Sequence, residues 1–498
     1  MSQPRPNTVK NLSLYLLAQA LQTAIPLLTV PVFTRYVSPE EYGVLEMVQI
    51  IVVVAIGFGN WGLLTAFNRF FFDYAASREK QIRLLQTVVT FTVLCFVVVF
   101  VAVFFLRDWL AGYLTGTDGW AWFLIAVLAS GFLNHVIGFF FAYLRCSESA
   151  SSYVKYDLSL LVITTAISLA LVLDHRGIWG LVLGALVARV LVFVLFAARY
   201  RLLRPRLDLP ILKECLLYGW PLMAHVLTSV LNRSVDKYMV GKMVSLASVG
   251  VYGRAQTIAG AVWLLMMAVR NVYTPKWNRM IFGIDPGGPR GLMALFVDYM
   301  AIIIVPPILL VLFSREIVGI LLPELYHDAI PMIIGLTGYY LVLALSVLMG
   351  PIGNYLKMTR WMGLQAILTN AAHIGLNLAL IPRWGALGSV MATCGVGVVF
   401  TALEIYIYGR KYPLPFEKAK LAAFYGGYLV CAVVAYLCYR DTIAYGPGLA
   451  LRLILASAFA GLWLKVVGVH RARALLAELR RMFLPARVAV KAPTEDEC

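Results

Sequence analysis

The chain has 498 residues, 61% of them hydrophobic and only 13% charged, where an average soluble domain carries roughly 25% charged residues. A soluble globular fold is thereby excluded. The formal net charge of +17 does not signal nucleic-acid binding, because the basic residues fall between apolar runs and form no zinc-finger or basic-region pattern.

Apolar runs of about 20 residues, long enough to cross a hydrocarbon core of about 30 Å, recur along the whole chain without the alternation of a barrel strand. They predict an all-α polytopic membrane protein with about 14 transmembrane helices. The first span, 11–34, contains Pro26 and Pro31 and ends at Arg35. The second, 43–66, holds Glu46 near its start. Three spans follow at 84–106, 120–144 and 153–173, the last carrying Asp157, and the sixth, 178–198, has Arg189 at its middle. A basic link from Arg199 to Glu214 leads to the seventh, 215–241. There Arg233 and Lys237 are four apart and share one face, with Asn232 and Asp236 beside them and Asp236 placed to pair with Arg233. The eighth span, 248–271, carries Arg254. The next four, 292–314, 329–352, 361–381 and 386–408, include Pro306-Pro307 and a polar face of Gln365, Asn370, His373 and Asn377. Two further spans, 420–439 and 446–467, precede a tail in which Leu475, Leu476 and Leu479 alternate at helical spacing with Arg471, Arg473 and Arg480. That pattern suits a helix lying in the headgroup plane.

An even span number puts both termini on one side. Most of the 42 Lys and Arg residues then fall on the cytoplasmic side, as the positive-inside rule requires. Cys95, Cys394, Cys431 and Cys438 sit in apolar segments and no cysteines stand at metal-ligand spacing, so neither a metal nor a cofactor is expected.

The chain also resembles itself. At an offset of 207 residues Val37, Ser38, Gly43, Val44, Gln49 and Ile51 fall on Val244, Ser245, Gly250, Val251, Gln256 and Ile258, and Arg35 falls on Lys242. Six spans separate the copies, so both run in the same direction and the repeat axis lies along the membrane normal. The repeat predicts two pseudo-symmetric six-helix lobes, residues 1–204 and 205–412, then appended helices over 413–468 and a basic amphipathic cytoplasmic tail over 469–498.

The segment from Pro31 to Leu45, with Arg69-Phe-Phe-Phe-Asp and Asp236-Lys-Tyr-Met-Val-Gly, resembles the polysaccharide and oligosaccharide-lipid flippases of the multidrug/oligosaccharidyl-lipid/polysaccharide exporter superfamily. The resemblance implies a transporter rather than an enzyme. Its implied cargo is an undecaprenyl-diphosphate-linked oligosaccharide, moved by alternating access from the cytoplasmic to the periplasmic leaflet of a bacterial inner membrane. The implied partners are that polyprenyl-diphosphate-linked glycan, membrane lipids, a glycan polymerase and other polysaccharide assembly proteins. A peptidoglycan-precursor flippase and a multidrug/cation antiporter of the same superfamily are the alternatives. A polytopic glycan polymerase or ligase fits less well, because the sequence has no phosphate-binding Gly-Lys-Ser/Thr loop, no His-Glu-x-x-His pair and no Asp-x-Asp.

A charge at the middle of a span costs about 2.5–3.5 kcal/mol on insertion scales and therefore marks a wet cavity or a partner. The expected cationic lining is Arg189, Arg254, Arg233, Lys237 and Arg35, with Arg189 and Arg254 on the diphosphate, and Glu46 and Asp236 are the candidates for ion coupling. On the topology, a reporter active only in the periplasm, fused after Lys491, is expected to be silent. Activity of that fusion would refute the even number of spans.

Overall fold

A computed structural model describes residues 6–199, 205–440 and 442–483, and within them not the side chains of 6–17, 19–20, 23, 221–233, 359, 476 and 478–483. The predicted Asp236–Arg233 pair and most of the tail pattern therefore lie outside the described residues. Helices account for the fold, and no strand occurs among the described residues. In chain order they are α1 (Pro6–Tyr36), α2 (Pro39–Asn60), α3 (Leu63–Asp73), α4 (Arg78–Thr115), α5 (Ala121–Cys146), α6 (Ala150–Leu171), α7 (Gly177–Arg199), α8 (Leu209–Met243), α9 (Leu246–Ile281) and α10 (Gly288–Ile303). There follow α11 (Val305–Leu312), α12 (Ser314–Leu321), α13 (Ala329–Ser346), α14 (Met349–Tyr355), α15 (Thr359–Trp384), α16 (Ala386–Lys411), α17 (Lys418–Tyr439), α18 (Tyr445–Val467) and α19 (Val469–Phe483).

Eleven helical stretches among the described residues are long and apolar enough to cross a bilayer. One of them, Ala150–Arg199, is 50 residues long and folds back on itself. Its halves α6 and α7 lie antiparallel, with Ser168 Oγ donating to the Leu181 carbonyl at 3.2 Å. The chain reverses through His175 (φ 59°) and Gly177 (φ 51°, ψ −135°). Gly385, between α15 and α16, has nearly the same backbone angles, φ 59° and ψ −142°. Helices α1 and α8, 31 and 35 residues long, also exceed the membrane thickness at a 1.5 Å rise per residue.

Local chemistry explains where the helices depart from the spans read off the sequence. The second span ends early because Trp61 and Gly62 adopt left-handed angles (φ 45° and 72°). The turn is held by Trp61 stacked on Trp220 of α8 at 5.5 Å and leads into α3. The ninth span divides at Pro306-Pro307, which occupy the first turn of α11, where a missing N–H leaves no hydrogen bond unmade. Pro26 and Pro31, by contrast, stay inside α1. The amphipathic tail does form a helix, α19, but it docks on the bundle. Ala472 and Leu475 are buried, and Arg471, expected on the water-facing side, forks onto Asp298 of α10 at 2.6 and 2.8 Å. The appended helices are tied in by Arg452 of α18, which is 1% exposed. Its guanidinium meets both Glu316 oxygens of α12 at 2.7 and 2.8 Å and the Leu312 carbonyl at 3.2 Å.

The two halves of the chain meet where α2 crosses α9. A Cβ built on Gly43 would lie 1.9 Å from the carbonyl oxygen of Leu246, and one built on Gly250 would lie 1.9 Å from that of Pro39. Pro39 and Leu246, like Gly43 and Gly250, are 207 positions apart, so the contact is the same surface presented twice. The helix starts match as well. Ser38 Oγ accepts from Glu41 N and Ser245 Oγ from Ser248 N, at 3.2 and 3.1 Å. Gly43→Ala is therefore expected to lower the thermal midpoint of the purified protein by several degrees. Gly59→Ala on the same helix, where a Cβ meets nothing within 4 Å, should be neutral or stabilising by up to about 1 kcal/mol. Equal midpoints for the two variants would show that the crossing is not tight.

Candidate functional site

Glu46 follows Gly43 by one turn of α2 and so points into the seam that the glycine contact creates. It is nearly buried, at 7% exposure, and draws in two cations from the other half of the chain. Lys237 Nζ of α8 lies 2.6 Å from Glu46 Oε2, and Arg254 Nη2 of α9 lies 3.3 Å from Oε1. Gly253, beside Arg254, leaves the space the carboxylate occupies, since a Cβ there would stand 2.7 Å from Oε1. The other side of Arg254 is covered by the Tyr42 ring, 4.2 Å from the guanidinium carbon to the centroid. Tyr42 meets Tyr326 edge-on at 6.3 Å, and Tyr326 Oη donates to the Val37 carbonyl at 2.7 Å. Around this ion triad, Thr34 Oγ1 donates to Leu321 O at 3.3 Å, and Tyr113 Oη and Tyr238 Oη share a hydrogen bond of 2.5 Å. All of these contacts gather at the end of the bundle where α1 passes into α2.

Neighbouring residues on a helix point about 100° apart, so Asp236 meets partners outside the triad, although it and Lys237 border the same cavity. Its oxygens accept from Tyr252 Oη at 3.1 Å and Asn377 Nδ2 at 3.2 Å, and His373 Nε2 of α15 lies 3.3 Å away. The same ring nitrogen is 3.0 Å from Thr393 Oγ1 of α16. These groups border a cavity of about 540 Å3 whose wall also carries Gln256, Gln365, Asn370 and Glu404. A second cavity, of about 760 Å3, adjoins it at Leu343 and Ser346 and extends along α9 toward the opposite end of the bundle.

The residues singled out in the sequence are thus distributed over several places. Glu46, Lys237 and Arg254 come together, and Asp236 belongs to the His373 cluster. Arg189 is held within the first half of the chain, where Nη1 donates to the Ser130 carbonyl at 3.2 Å and to Ser130 Oγ. Arg35 is exposed at the end of α1. Its counterpart Lys242 covers the Tyr113 ring at 4.1 Å and donates to the Tyr113 carbonyl. The roles of Tyr42, Tyr326 and Arg452 were missed. Tyrosines near span ends read as interfacial anchors, and only the offset that puts Tyr42 next to Gly43 in the repeat marks it as different. Among the described residues no group of His, Cys, Asp and Glu has the arrangement of a metal site.

A model of the family described as "Polysaccharide biosynthesis protein" matches residues 32–331. Solved structures with the same fold include one described as "Lipid II flippase MurJ, inward closed conformation". It is 14% identical, covers 91% of this chain and 99% of its own, and has a TM-score of 0.69. Another is described as "Inward-facing conformation of a multidrug resistance MATE family transporter of the MOP superfamily", at 14% identity, 80% and 94% coverage and a TM-score of 0.52. No curated protein gives a sequence match.

Removing one partner of a buried ion pair strands the other charge and costs about 3–5 kcal/mol. Glu46→Ala, which strands two cations, is expected to destabilise the protein by at least that much, whereas Lys237→Met in the Glu46→Ala background should recover part of the loss. The check is a double-mutant cycle on thermal unfolding in detergent. Additive effects of the two changes would show that the pair is not coupled.

Proposed function

The chain belongs to the polysaccharide biosynthesis protein family, and on that premise we propose that it is a flippase for an undecaprenyl-diphosphate-linked oligosaccharide. It carries this cargo from the cytoplasmic to the periplasmic leaflet of a bacterial inner membrane by alternating access. The proposed working parts are two lobes, residues 1–204 and 205–412, in a fourteen-span topology with both termini cytoplasmic, and the α1–α2 end is then periplasmic.

The observation that carries this reading is the ion triad across the seam. One carboxylate from the first lobe holds two cations of the second. At an effective dielectric of 20 each such contact carries about 4 kcal/mol of Coulomb attraction before desolvation is counted. The membrane potential supplies only about 2.3 kcal/mol per charge per 100 mV, so it does not open the seam alone. A diphosphate offers Lys237 and Arg254 an alternative anion, and an arginine fork matches its oxygens. Cargo arriving from the cavities takes the two cations, releases Glu46 and lets the periplasmic end part. The inside-negative potential then favours outward movement of the anion. Arg189, bonded to Ser130, keeps the first lobe's wall in shape in this scheme. Asp236, facing His373 on the cavity, is the better candidate for ion coupling, since Glu46 is already engaged by two cations.

A multidrug/cation antiporter is the second reading, and Asp236 and Glu404 on the 540 Å3 cavity favour it, because carboxylates attract organic cations. Reconstituted vesicles separate the two. Wild-type protein is expected to translocate a fluorescent undecaprenyl-diphosphate glycan. Arg254→Ala should cut the rate per folded, reconstituted molecule at least tenfold, in line with the loss of a charged hydrogen bond of about 1.5–3 kcal/mol, and Arg254→Lys should retain part of it. Full translocation by Arg254→Ala would refute this mechanism, and proton-driven organic-cation exchange without glycan movement would establish the second reading.

A further inference from the structure

The second cavity differs in chemistry from the first. It lies between one stripe of α9, with Trp263, Arg270, Asn271 and Asn278, and the facing stripe of α13 and α14, with Ser346 and Asn354. Among the described residues no carboxylate lines it, and Arg270 is its single charged group. Among the described residues Arg270 makes no ion pair. The side-chain amides of Asn271, Asn278 and Asn354, all exposed, make no hydrogen bond there either. Helices that merely packed would close this space with apolar side chains. Instead three amides and a guanidinium face a void of about 760 Å3, within the roughly 300–1,000 Å3 of small-molecule sites.

Each amide presents both donors and an acceptor, as a sugar hydroxyl does, and Trp263, stacked on Tyr340 at 5.5 Å, supplies an apolar wall for the C–H face of a ring. A lone guanidinium satisfies one carboxylate through paired hydrogen bonds. A diphosphate, with more charge, needs more than one cation. We infer that this compartment binds the glycan itself and selects one with an acidic, carboxylate-bearing sugar, Arg270 taking the carboxylate and the three asparagines the hydroxyls. The inference rests on the flippase reading and names the sugar class that reading leaves open.

The test is calorimetric titration of the full-length protein in lipid nanodiscs with trigalacturonate, maltotriose and inorganic pyrophosphate. Trigalacturonate is expected to bind saturably and maltotriose at least tenfold more weakly. Arg270→Gln should abolish the difference, Arg270→Lys should restore part of it, and Asn278→Ala should weaken both sugars. Equal binding of the two trisaccharides to wild type, or an Arg270 dependence seen with pyrophosphate but not with trigalacturonate, would overturn the assignment. Glycan translocation in vesicles is scored separately. Uronate selectivity without translocation counts against the flippase reading alone, and translocation without uronate selectivity counts against this inference alone.

Discussion

The contact of two bare stretches of backbone, α2 at Gly43 and α9 at Gly250, is the constraint on which the rest of the arrangement depends. No side chain can be interposed there, so the helices approach as closely as main chains allow, and van der Waals packing takes over the work that hydrophobic burial does in water. Because each glycine meets the residue four positions before the other, the crossing is self-complementary. The crossing is also one of the most extensive helix pairings in the fold, and the polar groups that meet across it stand one turn further along. Glu46, Lys237 and Arg254 stand at that distance.

The triad beside this crossing has an uneven charge balance. One anion against two cations leaves a net positive seam, which is stable only while the single carboxylate stays in place and which attracts any larger anion. The cavities beyond it grade from a compartment with both signs of charge around Asp236 to one with a single arginine among amides.

Much of this was legible in the sequence because membrane insertion makes each charge expensive and therefore informative. Glu46, Lys237 and Arg254 stood out as charges inside apolar runs, and the 207-residue offset located the two helix starts that the Ser38 and Ser245 caps confirm. Which charges would meet was not legible. Asp236 is met by Asn377 and His373 of α15 and by Tyr252 of α9, partners that spacing along α8 does not reveal. The hydrogen bonds from Arg189 to the Ser130 carbonyl and hydroxyl on α5 were equally hidden, since nothing in the local sequence around Ser130 announces them. The docking of α19 turned on Asp298, an acid whose partner lies 173 positions later.

The Arg452–Glu316 pair also bears on how the chain is made. Glu316 leaves the ribosome 136 residues before Arg452, an interval on the order of ten seconds at about 5–20 residues per second. During it α12 carries a carboxylate with no permanent counter-charge, held near the membrane surface. Arg452 in turn is a poor guest for the bilayer until that carboxylate is waiting for it. A waiting Glu316 offsets the roughly 2.5–3.5 kcal/mol that an arginine adds to inserting α18, which favours assembly of the second half of the bundle first and gives the nascent protein a preferred order of construction as well as a final shape.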